Sequence, residues 1–238
     1  MRFVKGLLKL LILLFIVLGI CWFGLKFYFT HINSVADTVR SEALTSVKKH
    51  NSQFITYDEI PETYRNAVIA TEDSSFFTNK GIDPDGTLRA VIVDIRSKQP
   101  LQGGSSITQQ LVHNTILSRT VKSITWKFLE GIYAIGLYDT MSKQEIFVLY
   151  ANVIYFGHGA YGLYQAAEIY FGKIPSALNA GEQTMLAGIP NAPNDYDPYK
   201  NMVLARQRQN IVVQSMVGNG VISGSRAKKI LSEPIKLK

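Results

Sequence analysis

From Leu10 to Leu25 the chain runs without a single charged side chain, and this stretch constrains the rest more than any other. Gly6, Leu7 and Leu8 extend it on one side of Lys9, and Phe27, Tyr28 and Phe29 extend it past Lys26. A helix crossing a bilayer needs about 20 apolar residues. Lys9 and Lys26 stand near the ends, where their long stems can carry the charge to the surface. Trp22 and Tyr28 suit the interface, and Arg2, Lys5 and Lys9 ahead of the run keep its N-terminus cytoplasmic. The rival is a cleaved signal peptide with Ser34-Val35-Ala36 as the small-x-small site. The run is longer than the usual apolar region of about 7–15 residues, so the uncleaved anchor is the preferred reading. A buried core helix is a third reading, but no other stretch is this hydrophobic.

The chain has 238 residues, 47% of them hydrophobic. Without the anchor it still suffices for one domain with a sizeable core. The single cysteine, Cys21, lies inside the apolar run. No disulfide can form within one chain, and no cysteine cluster suggests zinc. A formal net charge of +7 points to phosphate: nucleic acid, anionic lipid head groups or a phosphorylated substrate. The anchor tips that choice toward the membrane and away from nucleic acid.

Residues 30–55 are polar and mixed, and read as a stalk or a first helix leaving the membrane. From Tyr57 onward the pattern is helical. Pro61 suits a first helical position, and Ile60, Tyr64 and Val68 follow at spacing four with Ala67 beside them. Ser106 to Gln109, Ser142 to Glu145, and Asn179 with Glu182 have capping-box form. Ile146, Leu149, Tyr150 and Val153 make a buried stripe, and Ile124, Phe128, Ile132 and Ile135 mark another amphipathic helix. Pro190 to Pro198 is a loop by composition. Strand signals are scarce, and there is no dinucleotide fingerprint, repeat or low-complexity tract. A mainly α ectodomain of one domain follows.

Four stretches could carry chemistry. Glu72-Asp73 closes a helix, where each carboxylate and the helix dipole push the other's pKa upward. That suits a general base, although a solvated acidic pair has the same sequence. Gly103-Gly104-Ser105-Ser106-Ile107-Thr108-Gln109-Gln110 starts a helix with free N–H groups, a phosphate-binding geometry shared by many capped helices. Lys127 and Glu130 lie three apart on one helix face, as a phosphate-binding pair or as a surface ion pair worth about 0.2–0.5 kcal/mol; Arg119 and Lys122 stand nearby. Tyr150 to Gly162 is rich in aromatics and glycines, a binding loop or a packed turn. His158 reads as structural or solvated, and the four histidines lack metal-ligand spacing.

Read in order, these stretches resemble the glycosyltransferase domain of bacterial peptidoglycan synthases, glycosyltransferase family 51, over about residues 55–220. The family's five motifs are matched in sequence. The first is matched at Glu72, Asp73, Phe76 and Gly81, and the second at Gly104, Ser105, Ile107, Thr108, Gln109, Gln110 and Asn114. Lys127 and Glu130 match the third. The fourth is matched at Glu145, Ile146, Tyr150, Asn152 and Tyr155–Gly157, and the fifth at Arg208, Asn210, Val212 and Met216. The resemblance implies a lysozyme-like helical domain with a membrane-associated jaw after Asn114, preceded by one transmembrane helix. The implied segments are a cytoplasmic tail at 1–6, the anchor at 7–29, the stalk or membrane-proximal helix at 30–55, and the catalytic domain at 56–238 on the outer face. It implies polymerisation of lipid II by inverting transfer, with Glu72 as general base and Glu130 as the second catalytic carboxylate. Substrate contacts carry over to Asp73, Ser105, Ser106, Thr108, Gln109, Gln110, His113, Asn114, Lys122, Lys127, Asn152 and Arg208. Glu130 among phosphates needs positive company, from a Lys, an Arg or a divalent cation such as Mg or Mn. No residue spacing demands that metal, and no other cofactor is implied.

The sequence departs from the family where charge is used. Asn79 stands for a His, Ser106 for a Thr, His113 for a Lys, Lys122 and Trp126 for an Arg each, Val148 for a Glu and Gln209 for an Arg. The carboxylates Glu72 and Glu130 survive, which favours activity; the lost cations favour weaker phosphate binding. Two rival functions follow: a lysozyme-like hydrolase, which also needs two carboxylates, and a membrane scaffold that binds lipid II or cell-wall enzymes without catalysis. The expected partners are lipid II, the lipid-linked glycan chain, membrane lipids and other cell-wall synthesis or division proteins. Ser46-Val47-Lys48-Lys49 and Ser225-Arg226-Ala227-Lys228 have the Ser-x-x-Lys form of a transpeptidase, but no Lys-Thr-Gly accompanies them. The expectation is a monofunctional glycosyltransferase.

Overall fold

The computed structural model describes residues 2–29, 34–86, 104–118 and 124–238. Gly103, Arg119 and Lys122 lie outside the described residues. Ten α-helices are delimited among the described residues, with the start of another at 84–86, and the one pairing of extended backbone among them is an isolated antiparallel bridge between Tyr155 and Tyr161.

Helix α1 is continuous over Arg2–Phe27, and its described apolar side chains are exposed, Phe15 by 72% and Phe23 by 76%. Among the described residues no helix is long and apolar enough to cross a membrane. Several side chains inside α1, those of Leu18, Cys21 and Leu25 among them, lie outside the described set and interrupt that stretch. The membrane span is therefore carried by the sequence alone.

Val35–Lys49 forms helix α2, capped by Ser34, whose hydroxyl accepts the Asp37 N–H at 3.2 Å. Val35, Val39 and Ala43 are buried in the main core, against α5 (Ile124–Thr140) and α6 (Lys143–Val153). The segment after the apolar run is thus part of the packed body. Phe29 is buried over Gly136 of α5, where a Cβ would stand 2.6 Å from its ring.

Helix α3 (Glu62–Glu72) buries Tyr64, Ala67 and Val68, as their spacing predicts. Pro61 is its N-cap, one residue earlier than expected: it has an extended ψ of 139°, and Glu62 is the first helical residue. Helix α4 (Ile107–Asn114) carries the full capping box between Ser106 and Gln109. The box at Asn179 and Glu182 also forms, opening α8 (Ala180–Gly188). At α6 only half of the predicted box forms. Ser142 accepts the Glu145 N–H, but the Glu145 carboxylate turns away to Arg40 Nε at 2.6 Å. The α6 stripe of Ile146, Leu149, Tyr150 and Val153 is buried. The amphipathic helix marked by Ile124, Phe128, Ile132 and Ile135 forms as α5, with Ile132 partly buried against the core but Phe128 68% exposed; its fully buried side runs through Glu130, Ala134 and Leu137.

Helices α3, α8 and α9 (Met202–Gly218) pack together on one side. Helix α4 packs between α5 and α6 on the other. Helix α7 (Leu163–Phe171) and α10 (Gly224–Ser232) complete the described body. The C-terminus of α3 thereby meets the N-terminus of α4, and the site forms at that junction.

Candidate active site

Glu72 ends α3, buried, between two open lobes of one cleft. One lobe, about 470 Å³, runs from Glu72 and Asp83 toward Asn210 and Gln214 of α9. The other, about 510 Å³, is lined by His113, Trp126, Lys127, Glu130 and Tyr155. Glu72 and Ser105 line both lobes. The two oxygens of Glu72 have different neighbours. Oε1 accepts from the Arg208 guanidinium at 3.1 Å, with both side chains buried. Oε2 accepts from Gln110 Nε2 at 3.0 Å. The Arg208 Nε also donates to the Gly188 carbonyl at 3.4 Å. A Cβ at Gly188 would come within 2.9 Å of the Arg208 chain, so glycine lets α8 and α9 close around it.

Asp73 points away from Glu72. Its Oδ2 accepts the Ile107 N–H at 3.0 Å, the first residue of α4, and Oδ1 accepts from Asn79 Nδ2 at 2.8 Å. An anion at a helix N-terminus is favourably placed. Burial pushes the Asp73 carboxyl above the usual range, against the pull of Ile107 N–H, Asn79 and Lys143. The expected cause, repulsion by Glu72 and the α3 dipole, is not the operative one. Asn79 Oδ1 in turn accepts from Lys143 Nζ at 2.7 Å. Burial pushes Lys143 down to about 8.

In the second lobe Glu130 is buried beneath Lys127, which pairs with its Oε1 and also donates to Ser105 Oγ at 2.7 Å. Gln109 Nε2 donates to the same Glu130 oxygen at 3.2 Å. Lys127 thus supplies the counter-charge that the sequence leaves open between a basic residue and a metal. Among the described residues no group of three His, Cys, Asp or Glu could hold a metal ion. His113 Nδ1 lies 4.0 Å from Glu130 Oε2, and its ring meets Trp126 edge-on with centroids 5.0 Å apart.

Glu72, Asp73, Ser105, Gln110, His113, Asn114, Lys127 and Glu130 therefore share one cleft. Ser106 reaches its edge, but its hydroxyl caps α4 and donates to the Gly81 carbonyl at 2.6 Å. Three expected contacts are interior. Thr108 is fully buried, and Gln109 is held by its cap and by Glu130. Asn152 gives both its donors to the Ile55 and Val148 carbonyls and accepts the Ile55 N–H. It ties the segment ahead of α3 to α6. Arg208 is buried and reaches the cleft through Glu72, and Lys122 lies outside the described residues. Tyr150, whose phenol burial and Glu72 push well above its ordinary pKa, stands 3.4 Å from Gln110 Oε1. The sequence gives no sign of Lys143, because its bond to Asn79 spans 64 residues.

A transglycosylase family model matches residues 40–217. Penicillin-binding protein 1A of Aquifex aeolicus is 40% identical over 78% of this chain and 25% of its own length. A candidate transglycosylase of Cupriavidus necator is 39% identical over 83% of this chain and 84% of its own. A crystal structure of penicillin-binding protein 1A from Haemophilus influenzae aligns over 78% of this chain and 18% of that one, at 22% identity and a TM-score of 0.48, too distant to add to the sequence match. The chain spans between 21% and 30% of the length of the penicillin-binding proteins 1A from Aquifex aeolicus, Streptococcus oralis and Escherichia coli.

Proposed function

The chain belongs to the transglycosylase family, the peptidoglycan glycosyltransferase domain, and from that premise we propose that it polymerises lipid II into β-1,4-linked glycan, releasing the lipid pyrophosphate. The observation that carries this reading is Glu72 standing between two lobes. A polymerase must hold two sugars at once, with its base at the seam. Glu72 takes the proton of the acceptor 4-hydroxyl as that oxygen bonds to the anomeric carbon of the donor. The bond from that carbon to the pyrophosphate breaks, and its electron pair leaves with the phosphate. Inversion follows from attack opposite the leaving group.

The lobe holding Lys127 suits the departing anion, because a fixed cation stabilises charge as it develops. Ser105 shares the same ammonium and adds a hydroxyl. Arg208 and Gln110 orient the base. Two jobs thus fall to different carboxylates: Glu130 holds Lys127, and Glu72 moves the proton. The exposed Phe128 and Leu129 beside Lys127 suit a jaw that dips into the lipid, and α1 suits an anchor with the catalytic body outside.

The test is incubation of detergent-solubilised protein with labelled lipid II, with products resolved before and after lysozyme digestion. Lysozyme-sensitive polymer is expected. Glu72→Gln removes the base and should slow chain growth by a factor on the order of 10²–10⁴ while lipid II still binds. Substantial polymer from that variant would sink the assignment. Folded wild-type protein that binds lipid II without extending it would make the scaffold the better reading.

A further inference from the structure

Beside the Lys127 lobe lies a further polar cavity of about 400 Å³. His113, Asn114 and Tyr155 line both, so they form the wall between them. The far side is helix α2, which contributes Glu42, Ser46, Lys49 and His50. The cavity therefore offers one carboxylate and one ammonium on one helix, seven residues and so two turns apart, about 10.5 Å along the helix axis.

Its aromatic wall is preset. The His50 ring stacks on Tyr161 with centroids 3.8 Å apart and 7° between planes, and Tyr161 meets Tyr155 at 4.7 Å. His50 Nδ1 lies 2.9 Å from the Ser46 carbonyl, and Gln165 Nε2 holds the His50 carbonyl at 2.7 Å. Burial holds the His50 imidazole below its ordinary pKa, against the pull of the Ser46 carbonyl and with help from Lys49. A simple anion site is a poor match, since Glu42 would repel the ligand. A bare sugar would have no use for the paired charges. A peptide with its own carboxylate and amine matches both.

We propose that this cavity is a subsite for the peptide borne by the lipid-linked substrate. The inference rests on the lipid-substrate reading above. Chemistry fixes the neighbourhood: in such a substrate the sugar attached to the pyrophosphate is also the one that carries the peptide, through a lactyl ether two ring carbons away. If Lys127 receives the pyrophosphate, the peptide leaves that sugar within a few bonds of the same lobe, at the wall formed by His113, Asn114 and Tyr155. Lys49 then meets a peptide carboxylate and Glu42 a peptide amine, with the aliphatic part against the Tyr155–Tyr161 wall.

The experiment titrates two lipid-linked disaccharides, one with the full peptide and one with the lactyl group alone, onto full-length protein in detergent. Polymer formation is followed in parallel. The peptide-bearing ligand should bind about tenfold more tightly, the size of one charge-assisted hydrogen bond. Lys49→Ala and, separately, Glu42→Gln should narrow that gap; both positions are exposed on α2, so neither change disturbs the core. Equal affinity for the two ligands, or a gap that neither variant narrows, overturns the subsite. If polymer then forms from both ligands, the Glu72 reading stands without it. A peptide-dependent gap that Lys49→Ala narrows, seen without any polymer, supports the subsite and overturns the polymerase.

Discussion

Glu72 can act as a base only through an oxygen that a hydroxyl can approach, and its neighbours divide that task. Arg208 holds Oε1 from the protein interior, while Gln110 reaches Oε2 across the cleft, so a substrate hydroxyl that displaces a neutral amide loses less than one that displaces an ion pair. The departures from the family pattern separate in the same way, by where each residue sits. Gln209 is fully buried between α8 and α9, donating to the Gly181 carbonyl and Thr184. Val148 lies on the outer side of α6, in a groove with Leu44 and Phe54. Neither change takes charge from the cleft. His113 and Trp126 do line it, as an edge-on aromatic pair where the resemblance implies two cations. If the missing cations weaken phosphate binding, one position should restore it. His113→Lys is expected to tighten lipid II binding by about tenfold, as one added charge-assisted contact implies, read as a lower KM with kcat little changed. An unaltered KM would mean that Lys127 alone satisfies the phosphate.

Helix α4 is the element on which the site turns, because Ser105, Gln110 and His113 all depend on where it starts. Its N-terminus is fixed twice, by the Ser106–Gln109 box and by Asp73 on the Ile107 N–H. Ser106→Ala removes the cap and the bond to Gly81. It should cost about 1–2 kcal/mol, seen as a lower midpoint in urea or thermal unfolding; an unchanged midpoint would leave Asp73 as the sufficient anchor. Behind Asp73 stands Lys143, which burial holds near 8 instead of 10.5. A folded pKa below the unfolded one means that the unfolded chain binds more protons between those values, so stability should rise with pH from about 8 to about 10.5. Lys143→Met should flatten that rise, and identical pH profiles for the two proteins would remove Lys143 from the account. The box at Ser106 was legible because both partners lie within four residues. The full box predicted at Ser142 was not realised, because Arg40, 105 residues away, takes the Glu145 carboxylate. The amphipathic helix expected at α5 forms, but Phe128 does not join its buried side, for a related reason. Hydrophobic spacing does not say whether an apolar face meets protein or lipid, and Phe128 and Leu129 face outward. Asn152 follows the same rule: the family resemblance implied a substrate contact, and its partners Ile55 and Val148 place it in the interior.

At the scale of the whole molecule, the open question is how α1 is joined to the body. Helical rise gives Arg2–Phe27 a length of about 39 Å, longer than a hydrocarbon core of about 30 Å. Phe29, just past the end of α1, packs onto α5 through Gly136 and Tyr133. An anchor docked this way would set the height of the cleft above the bilayer, and would keep Phe128 and Leu129 at the lipid surface. The competing signal-peptide reading places its cut after Ala36, inside a folded element. That cut would remove Ser34, the cap of α2, together with Val35 and Ala36, which are 1% and 4% exposed in the core. Losing an N-cap costs about 1 kcal/mol, and losing two buried apolar residues adds to it, so a processed chain would begin with a frayed α2. Retention is therefore expected. A tag fused to the N-terminus should stay on the mature protein, and the protein should resist extraction from membranes by alkaline carbonate while detergent releases it. Recovery of a soluble species that lacks the tag and starts at Asp37 would reverse the assignment, and would require α2 to hold its place on α5 and α6 through Val39, Ala43 and Val47 alone.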